Sequence, residues 1–468
     1  MTRSGLADLL AAWLPAQRWF GGGGAQVRHV EIVSDVRLAE GGAARTGAPG
    51  LRHLMIDAWL GHEKVSYQVL AGIRAELPEE LAGARIGALP EGGIAYDGAA
   101  DPELTAVLLE GIAAGRAAGP LRFAAEPGAI IDKTAPARVL PALASNTSVV
   151  FGNRAILKLL RRPFAGHHPD LELPAALARN GSKLVAPPLG WIEMRGDSTG
   201  AGGESVVLAI LSVYFPDSTD AWSLATASLH APQPDFVVQA RGLGEATGRL
   251  HAELAEAFGA SVLPGRALAD LTDAMQTEFT QAMRVVPALR GHEVAVRSCY
   301  AALAAPGAEV AVQRIHGDYH LAQVLGTDGA GHGADDPPGP PRRWVVLDFE
   351  GEPSVPLARR RAYAPTLRDV AGMLRSFDYA ARHEALRHPD DLRLAGAAPA
   401  WARRCQDAFC SGYGQVGGFG RVAGGVPPGA GPLLRALTLQ KAVYEAVYEA
   451  RHRPDWLPIP LAAIAEAS

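Results

Sequence analysis

The stretch "IHGDYHLAQVL" (315–325) sets Asp318 between His316 and His320, with Gln323 five residues on. Further along, "VVLDFEGEP" (345–353) runs an apolar strand into Asp348. Two carboxylates presented from strand-end loops suit phosphoryl transfer. One orients and deprotonates an attacking hydroxyl, and the other holds magnesium against nucleotide phosphates. Gln323 offers a neutral oxygen to the same metal, which prefers oxygen ligands. H-G-D alone is also an ordinary turn with aspartate as a cap, so the downstream acid and the offset glutamine carry the reading. His316 and His320 stand i,i+4, as zinc ligands can. Gly317 disfavours the helix that such a site needs, and no H-E-x-x-H pattern is present. Their expected role is structural: bonding the loop backbone to hold Asp318.

Lysine is rare, with five in the chain: Lys64, Lys133, Lys158, Lys183 and Lys441. Lys158 interrupts the apolar run "AILKLL", and a buried lysine needs a partner. Glu172, on the helix expected over 169–179, could supply it. A strand lysine held by a helix glutamate is the arrangement that contacts α- and β-phosphates in kinases. The alternative is a lysine on the solvent face of an edge strand. Ahead of it, "SNTSVV" (145–150) offers Ser145, Asn146, Thr147 and Ser148 as a turn that can wrap phosphate oxygens, or as a plain hairpin loop. Near the C-terminus, Lys441, Tyr444, Glu445 and Tyr448 fall at i, i+3, i+4 and i+7 and share one helix face. Rings and polar heads on one face suit a neutral sugar, and they also suit simple packing. Glu449, Arg451, Arg453 and Trp456 are weaker candidates on the same segment.

The elements that must position these groups follow from periodicity. Residues 27–37, 52–60 and 64–73 alternate as half-buried strands, and 101–115 reads as a helix. "TSVVFGN" and "RAILKLLRR" are strands joined by Gly152-Asn153, a hairpin signal. A helix over 169–179 follows, with Pro174 required in its first turn, and then strands within 183–194 and 204–214. Two strands, a helix and more strands are the order of a kinase N-lobe. Helices are expected at 237–258, 268–303, 366–387, 400–413 and 433–452. One β-rich interruption, 312–325 and 343–353, carries the two acids, and Asp318 is expected between an apolar helix and a short strand. The Gly/Pro run at 327–342 reads as an inserted hairpin tip.

Bulk properties bound the function. The 468 residues are 48% hydrophobic with a net charge of -5, which allows sizeable cores and argues against a general nucleic-acid or anionic-membrane binder. Three cysteines without a C-x-x-C pair point to a reducing compartment. The N-terminal apolar stretch, broken by Pro15 and Arg18, is too short for a span and poor as a signal peptide. A soluble, cytoplasmic protein is the expectation.

Together, "QRWFGGGG", "SNTSVVF…RAILKLLRR", "VQRIHGDYHLAQVL", "LDFEGEP", "LRDVAGMLRSFDYAA" and "KAVYEAVYEARHRPDWLPIPL" resemble bacterial maltokinase of the actinobacterial type, within the aminoglycoside-phosphotransferase, eukaryotic-like kinase superfamily. The similarity runs from about residue 10 to the C-terminus. It implies an α+β, bilobal kinase fold with an N-terminal α+β cap over 1–90. The rest of the N-lobe would span 91–215, and a mainly helical C-lobe 216–468. It implies ATP-dependent phosphorylation of maltose at C1, giving maltose 1-phosphate for glycogen and other α-glucan synthesis from trehalose. Carried over, Asp318 is the catalytic base and Gln323 and Asp348 are Mg2+ ligands. Ser145, Asn146, Thr147, Ser148, Lys158, Glu172 and Tyr214 serve ATP, Tyr214 at the presumed hinge "ILSVYF". Asp318, His320, Lys441, Tyr444 and Tyr448 serve the sugar. The resemblance admits trehalose synthase as a partner and a monomer or homodimer as the working form. The alternative is a glucosamine or other aminosugar or aminoglycoside kinase on the same fold, which should place extra carboxylates where a cationic amine binds. "QRWFGGGG" itself is expected to be a turn of the cap, anchored by Trp19 and Phe20, and not a phosphate loop.

Overall fold

The computed structural model describes residues 3–21, 26–41, 47–140, 146–196, 203–231, 235–263, 265–304, 310–327, 343–352, 355–416 and 431–467. The chain divides into two compact units, 1–175 with 186–216, and 176–185 with 217–468.

In the first unit, strands β1 (Val27–Ala39), β2 (Gly50–Leu60) and β3 (Glu63–Arg74) pair antiparallel. They continue through β5 (Ile94–Asp97) to β4 (Arg85–Ala88), two short strands with no clear alternation in sequence. Helix α1 (Arg3–Trp13) covers one face with Leu6, Leu10 and Trp13. Trp19 and Phe20 are both 3% exposed and pack on Tyr67, whose hydroxyl donates to the Phe20 carbonyl at 2.8 Å. The aromatic pair is therefore a core anchor. Residues 22–24 of the glycine run, the expected cap turn, lie outside the described residues.

Helix α2 (Pro102–Ala114) starts at an Asp101 cap and ends at Gly115 in the left-handed region, φ 61°. A seven-stranded antiparallel sheet follows, built from β6 (Ala117–Ala118), β7 (Leu121–Ala125), β8 (Ala137–Val139), β9 (Thr147–Phe151), β10 (Ala155–Leu159), β11 (Pro188–Met194) and β12 (Val206–Val213), in the order β6-β7-β11-β12-β10-β9-β8. The β9–β10 hairpin turns at Gly152, as its sequence signals. Arg161, 1% exposed, joins the two sheets of this unit: it donates to Thr147 Oγ1 at 2.9 Å and Asp97 Oδ2 at 2.6 Å, and lies 4.6 Å over the Trp19 ring.

Helix α3 (Pro169–Arg179) corrects one expectation: Pro174 lies inside the helix and not in its first turn. The His168 carbonyl already accepts from Leu171 and Glu172, so the proline interrupts an established ladder.

The second unit is mainly helical. The helix expected over 268–303 is broken at Pro287 into α6 (Gly265–Val285) and α7 (Glu293–Ala301), because a proline interior to a helix removes a donor and clashes with the turn before it. Helix α5 (Val237–Phe258) keeps its expected bounds. Helix α9 (Leu367–Arg387) begins one residue later than expected. Helix α10 (Leu392–Val416) is longer than the 400–413 read from periodicity and tolerates Pro399. Helix α11 (Gly431–His452) carries the candidate sugar face. Two three-stranded sheets frame the acids: β13 (Ser218–Asp220), β16 (Val324–Thr327) and β17 (Arg343–Val346), and β14 (Ala260–Leu263), β15 (Val310–Gln313) and β18 (Ala364–Pro365). Asp318 therefore follows strand β15, not the expected helix. Most of the 327–342 insertion, 328–342, lies outside the described residues. No helix among the described residues is long and apolar enough to cross a membrane.

Candidate active site

The loop from β15 to β16 is held by one stripe of α9. Asp369, Gly372 and Ser376 stand at i, i+3 and i+7, so they share a face. Asp369 Oδ2 accepts from the His316 backbone N–H and Oδ1 from that of Gly317, each at 2.9 Å. The Tyr319 carbonyl presses onto Gly372, where a Cβ would lie 2.5 Å from it, so only glycine fits. Ser376 Oγ accepts from Leu321 N–H at 3.1 Å. Gly317 itself takes φ 85°, a region that favours glycine.

Asp369 is 1% exposed and lies 3.0 Å from His251 Nε2, whose Nδ1 meets the Tyr413 hydroxyl at 3.0 Å. Burial pushes the Asp369 carboxyl up, but His251 and the loop N–H groups outweigh it and hold it below the usual carboxylate value. A charged acceptor at the head of the loop is thereby secured.

His316 ties the two candidate acids into one loop system. Its Nε2–H donates to the Leu347 carbonyl at 2.7 Å, which leaves Nδ1 to accept from the Asp318 backbone N–H at 3.3 Å. The ring is 1% exposed and packs on Phe349. The expected loop-holding role is what this histidine does. The zinc reading of His316 with His320 has no helix beneath it, since His320 only caps a short 3-10 turn. His320 Nε2 stands 4.0 Å from Asp318 Oδ2, and burial lowers its pKa, favouring the neutral ring.

Asp348 is the only non-glycine residue at positive φ among those described, at 61°. Backbone held there costs about 1–3 kcal/mol and persists where the surroundings dictate it. The Gln323 carbonyl accepts from Leu347 N–H at 2.9 Å, and Gln323 Nε2 donates to Asp348 Oδ2 at 3.0 Å. Gln323 and Asp348 are thus adjacent, with oxygens suited to a hard divalent ion.

Lys441 projects from α11. Its ammonium lies 3.2 Å from Asp318 Oδ1 and also pairs with Glu352. Burial would lower its pKa, but Asp318 and Glu352 outweigh that and raise it, so it stays charged. A cavity of about 270 Å³ opens beside this cluster, lined among others by Asp318, Glu352, Lys441 and Tyr444. Tyr448, one turn on, does not line it; it is 41% exposed and stacks on His452. Nor does His320 line it. Glu445, on the face expected to meet sugar, instead accepts two donors from the buried Arg375 of α9, at 2.6 and 3.0 Å. Glu449 accepts from Tyr379 of α9 at 2.6 Å. Helix α9 therefore holds the Asp318 loop on one side and the Lys441 helix on the other. Asp369, Gly372 and Ser376 carry no local motif; the one signal they leave in the sequence is their i, i+3, i+7 spacing.

The remaining candidates lie in the first unit. Lys158 Nζ meets Asp170 Oδ2 at 2.8 Å, an acid two residues before the expected Glu172 on the same helix. Ser148 pairs directly with Lys158 in the β9–β10 register, which puts both on one sheet face. Thr147 faces the other way, buried, and its hydroxyl serves Arg161. Asn146 stands at the head of β9, and Ser145 lies outside the described residues. Tyr214 follows β12, half-buried, with its N–H donated to the Arg154 carbonyl at 2.9 Å.

Residues 13–101 match the family model described as the maltokinase N-terminal cap domain. Over 351 residues, 72% of this chain and 72% of its counterpart, the sequence is 29% identical to a glucosamine kinase of Streptacidiphilus jiangxiensis. Over 333 residues, 68% of this chain and 76% of the other, it is 29% identical to a glucosamine kinase of Mycolicibacterium smegmatis. A solved glucosamine kinase in complex with glucosamine, ADP and inorganic phosphate aligns with a TM-score of 0.66 over 98% of each chain, at 23% identity. The fold is thus the kinase-like α+β fold expected from the sequence, with a maltokinase-type cap at its N-terminus. The cap bears out the resemblance to maltokinase, and the curated relatives add kinship to kinases named for glucosamine.

Proposed function

We propose that this chain, a maltokinase-type cap on a relative of sugar kinases, transfers the γ-phosphoryl group of ATP to the C1 hydroxyl of maltose. Asp318 accepts the proton of that hydroxyl as its oxygen forms the new P–O bond and the bond to the ADP oxygen breaks. Lys441 holds Asp318 aimed, and Tyr444 offers a ring for sugar packing. Gln323 and Asp348 would hold Mg2+, which neutralises phosphate charge when bound. Lys158, steadied by the acids of α3, serves the nucleotide phosphates with the 145–148 turn, and Tyr214 marks the adenine end.

The observation that carries the choice of a neutral sugar is the charge balance of the cavity. Its lining holds three carboxylates, Glu278, Asp318 and Glu352, and three cations, Arg359, Arg368 and Lys441. Glu352 and Asp318 share Lys441, and Glu278 accepts from Gln440 at 2.6 Å. A cationic amine would favour a net negative site. Glucosamine is the second reading, favoured by the names of the curated relatives and by Glu278 and Glu352 in the lining. The test is a phosphate-transfer assay with Mg-ATP on maltose, glucosamine and an aminoglycoside, with NMR locating the new phosphate. Turnover of maltose with phosphate on C1 is expected. Turnover of glucosamine without maltose would replace the first reading by the second.

A further inference from the structure

The second unit carries a cluster that no step above uses. His230 caps the C-terminus of α4 (Ala221–Leu229), and Glu384 and His388 stand i,i+4 at the end of α9. None of the three lines the Asp318 cavity. One ligand atom from each lies within 4.8 Å of the other two. His230 Nε2 is 2.8 Å from Glu384 Oε2, and His388 Nε2 is 3.7 Å from the same oxygen. Four ligands at zinc's bond lengths stand about 3.3 Å apart in a tetrahedron, and the two measured separations bracket that value.

The surroundings fit a metal as well. The Glu384 side chain is only 8% exposed, so its carboxylate is fixed. Its other oxygen meets His383 Nδ1 at 3.1 Å, a supporting bond of the kind that orients ligating carboxylates. The two imidazoles are 42% and 48% exposed, leaving a path for an ion and room for a water ligand. Arg393 donates to the Ala231 carbonyl at 3.2 Å, which pins the backbone next to His230.

We propose that His230, Glu384 and His388 form a Zn2+ site with a fourth position open to water, clamping the end of α4 to the end of α9. Two imidazoles and one carboxylate select a borderline ion over Mg2+ or Ca2+, which take all-oxygen sets. The clamp is a stability device: metal that binds only the folded chain stabilises it by mass action.

The test uses the full chain stripped with EDTA. Zinc is titrated by calorimetry and by thermal unfolding, on wild type, on the double variant His230→Ala/His388→Ala and with Mg2+ as control. Removing His230 also breaks its 2.8 Å bond to Glu384, so each protein's zinc-induced Tm shift is read against its own metal-free Tm. Expected are stoichiometric Zn2+ binding and a raised Tm in wild type. In the double variant, affinity should fall by about 100-fold or more, with no rise in Tm and no change in metal-stripped, Mg-ATP-dependent turnover. Equal zinc affinity and equal Tm shifts in both proteins would overturn the site and place any binding elsewhere, for example at Cys299. No stoichiometric binding in wild type would overturn the site outright.

Discussion

Two lysines, one in each unit, are both four-fifths shielded, with side chains 21% and 20% exposed, yet they sit in unlike company. Lys158 rises from a strand and meets Asp170, twelve residues away on the following helix. Lys441 rises from a helix and meets Asp318 and Glu352, the first 123 residues away. The local pair is written by neighbouring elements. The distant one exists only because α9 grips the Asp318 loop and α11 at once. Opposite charge does different work in the two places. In the proposed mechanism Lys158 is a handle for phosphate, and its acid a brace. Lys441 is the brace, and its acid Asp318 is the reacting group.

The hardest blow to that contrast falls on the acid. Asp318→Asn removes the proton acceptor while keeping the size of the side chain. Loss of a general base is worth about 10²–10⁴ in rate, so kcat should drop by roughly a thousandfold with the fold intact by circular dichroism. Sugar phosphorylation at the wild-type rate would end the assignment of Asp318.

The lysines themselves separate next. Lys158→Met should raise KM for ATP and lower kcat, together about 10²-fold in kcat/KM, with the pH profile unmoved. Lys441→Met leaves Asp318 and Glu352 facing each other without a cation. Asp318 then loses its brace, so kcat should fall about tenfold through misplacement, with KM for ATP little changed. In wild type the Lys441 pKa is raised, so its charge persists beyond the free-lysine value, while the stability it gives is full below that value and is lost as the pH rises from there through the raised one. No Lys441 titration should therefore appear between pH 5 and 9. Identical dependences on ATP and on sugar in the two variants would erase the distinction.

Much of the scaffold could be read from the chain. Long strands such as Val27–Ala39 and the Gly152 hairpin have local signals, and helix Val237–Phe258 shows its bounds by periodicity. Arg85–Ala88 and Ile94–Asp97 were missed because four residues are too few to show alternation. Pro287 hides in the sequence because the apolar spacing continues on both sides of it. At the site, residue types marked Asp318, Gln323, Asp348 and Lys441, which local motifs single out. Asp369 stayed hidden because an acid in the first turn of a helix looks like any residue favoured by the dipole there. Its partners His316, Gly317 and His251 are 52 to 118 residues distant, and no window sees them together.

Asp369→Asn tests the grip from behind. The amide presents one acceptor and one donor where the carboxylate accepts from two backbone N–H groups and meets His251. Leaving a buried donor unmet costs about 1–3 kcal/mol, so Tm should fall and urea unfolding should register a loss of that order. Turnover should decline by about tenfold through misplacement of Asp318. A Tm loss with unchanged kcat would make Asp369 a support of the fold alone.

The smallest effect is expected at Tyr448, on the same helix as Lys441. A shared face suggested that both meet sugar, but Tyr448 lies outside the cavity lining, stacked on His452 with centroids 4.5 Å apart and 5.4 Å beneath Arg453. Tyr448→Ala should change stability by about 0.5 kcal/mol or less, as exposed substitutions do, and leave KM for a monosaccharide untouched. An acceptor with a second ring could still reach past Tyr444, so maltose is the informative substrate. A rise in KM for maltose of about threefold or less fits a peripheral ring, because an exposed stack contributes little. A tenfold or larger rise, specific to the disaccharide, would extend the sugar face one turn beyond the cavity and make α11 the element that measures acceptor length.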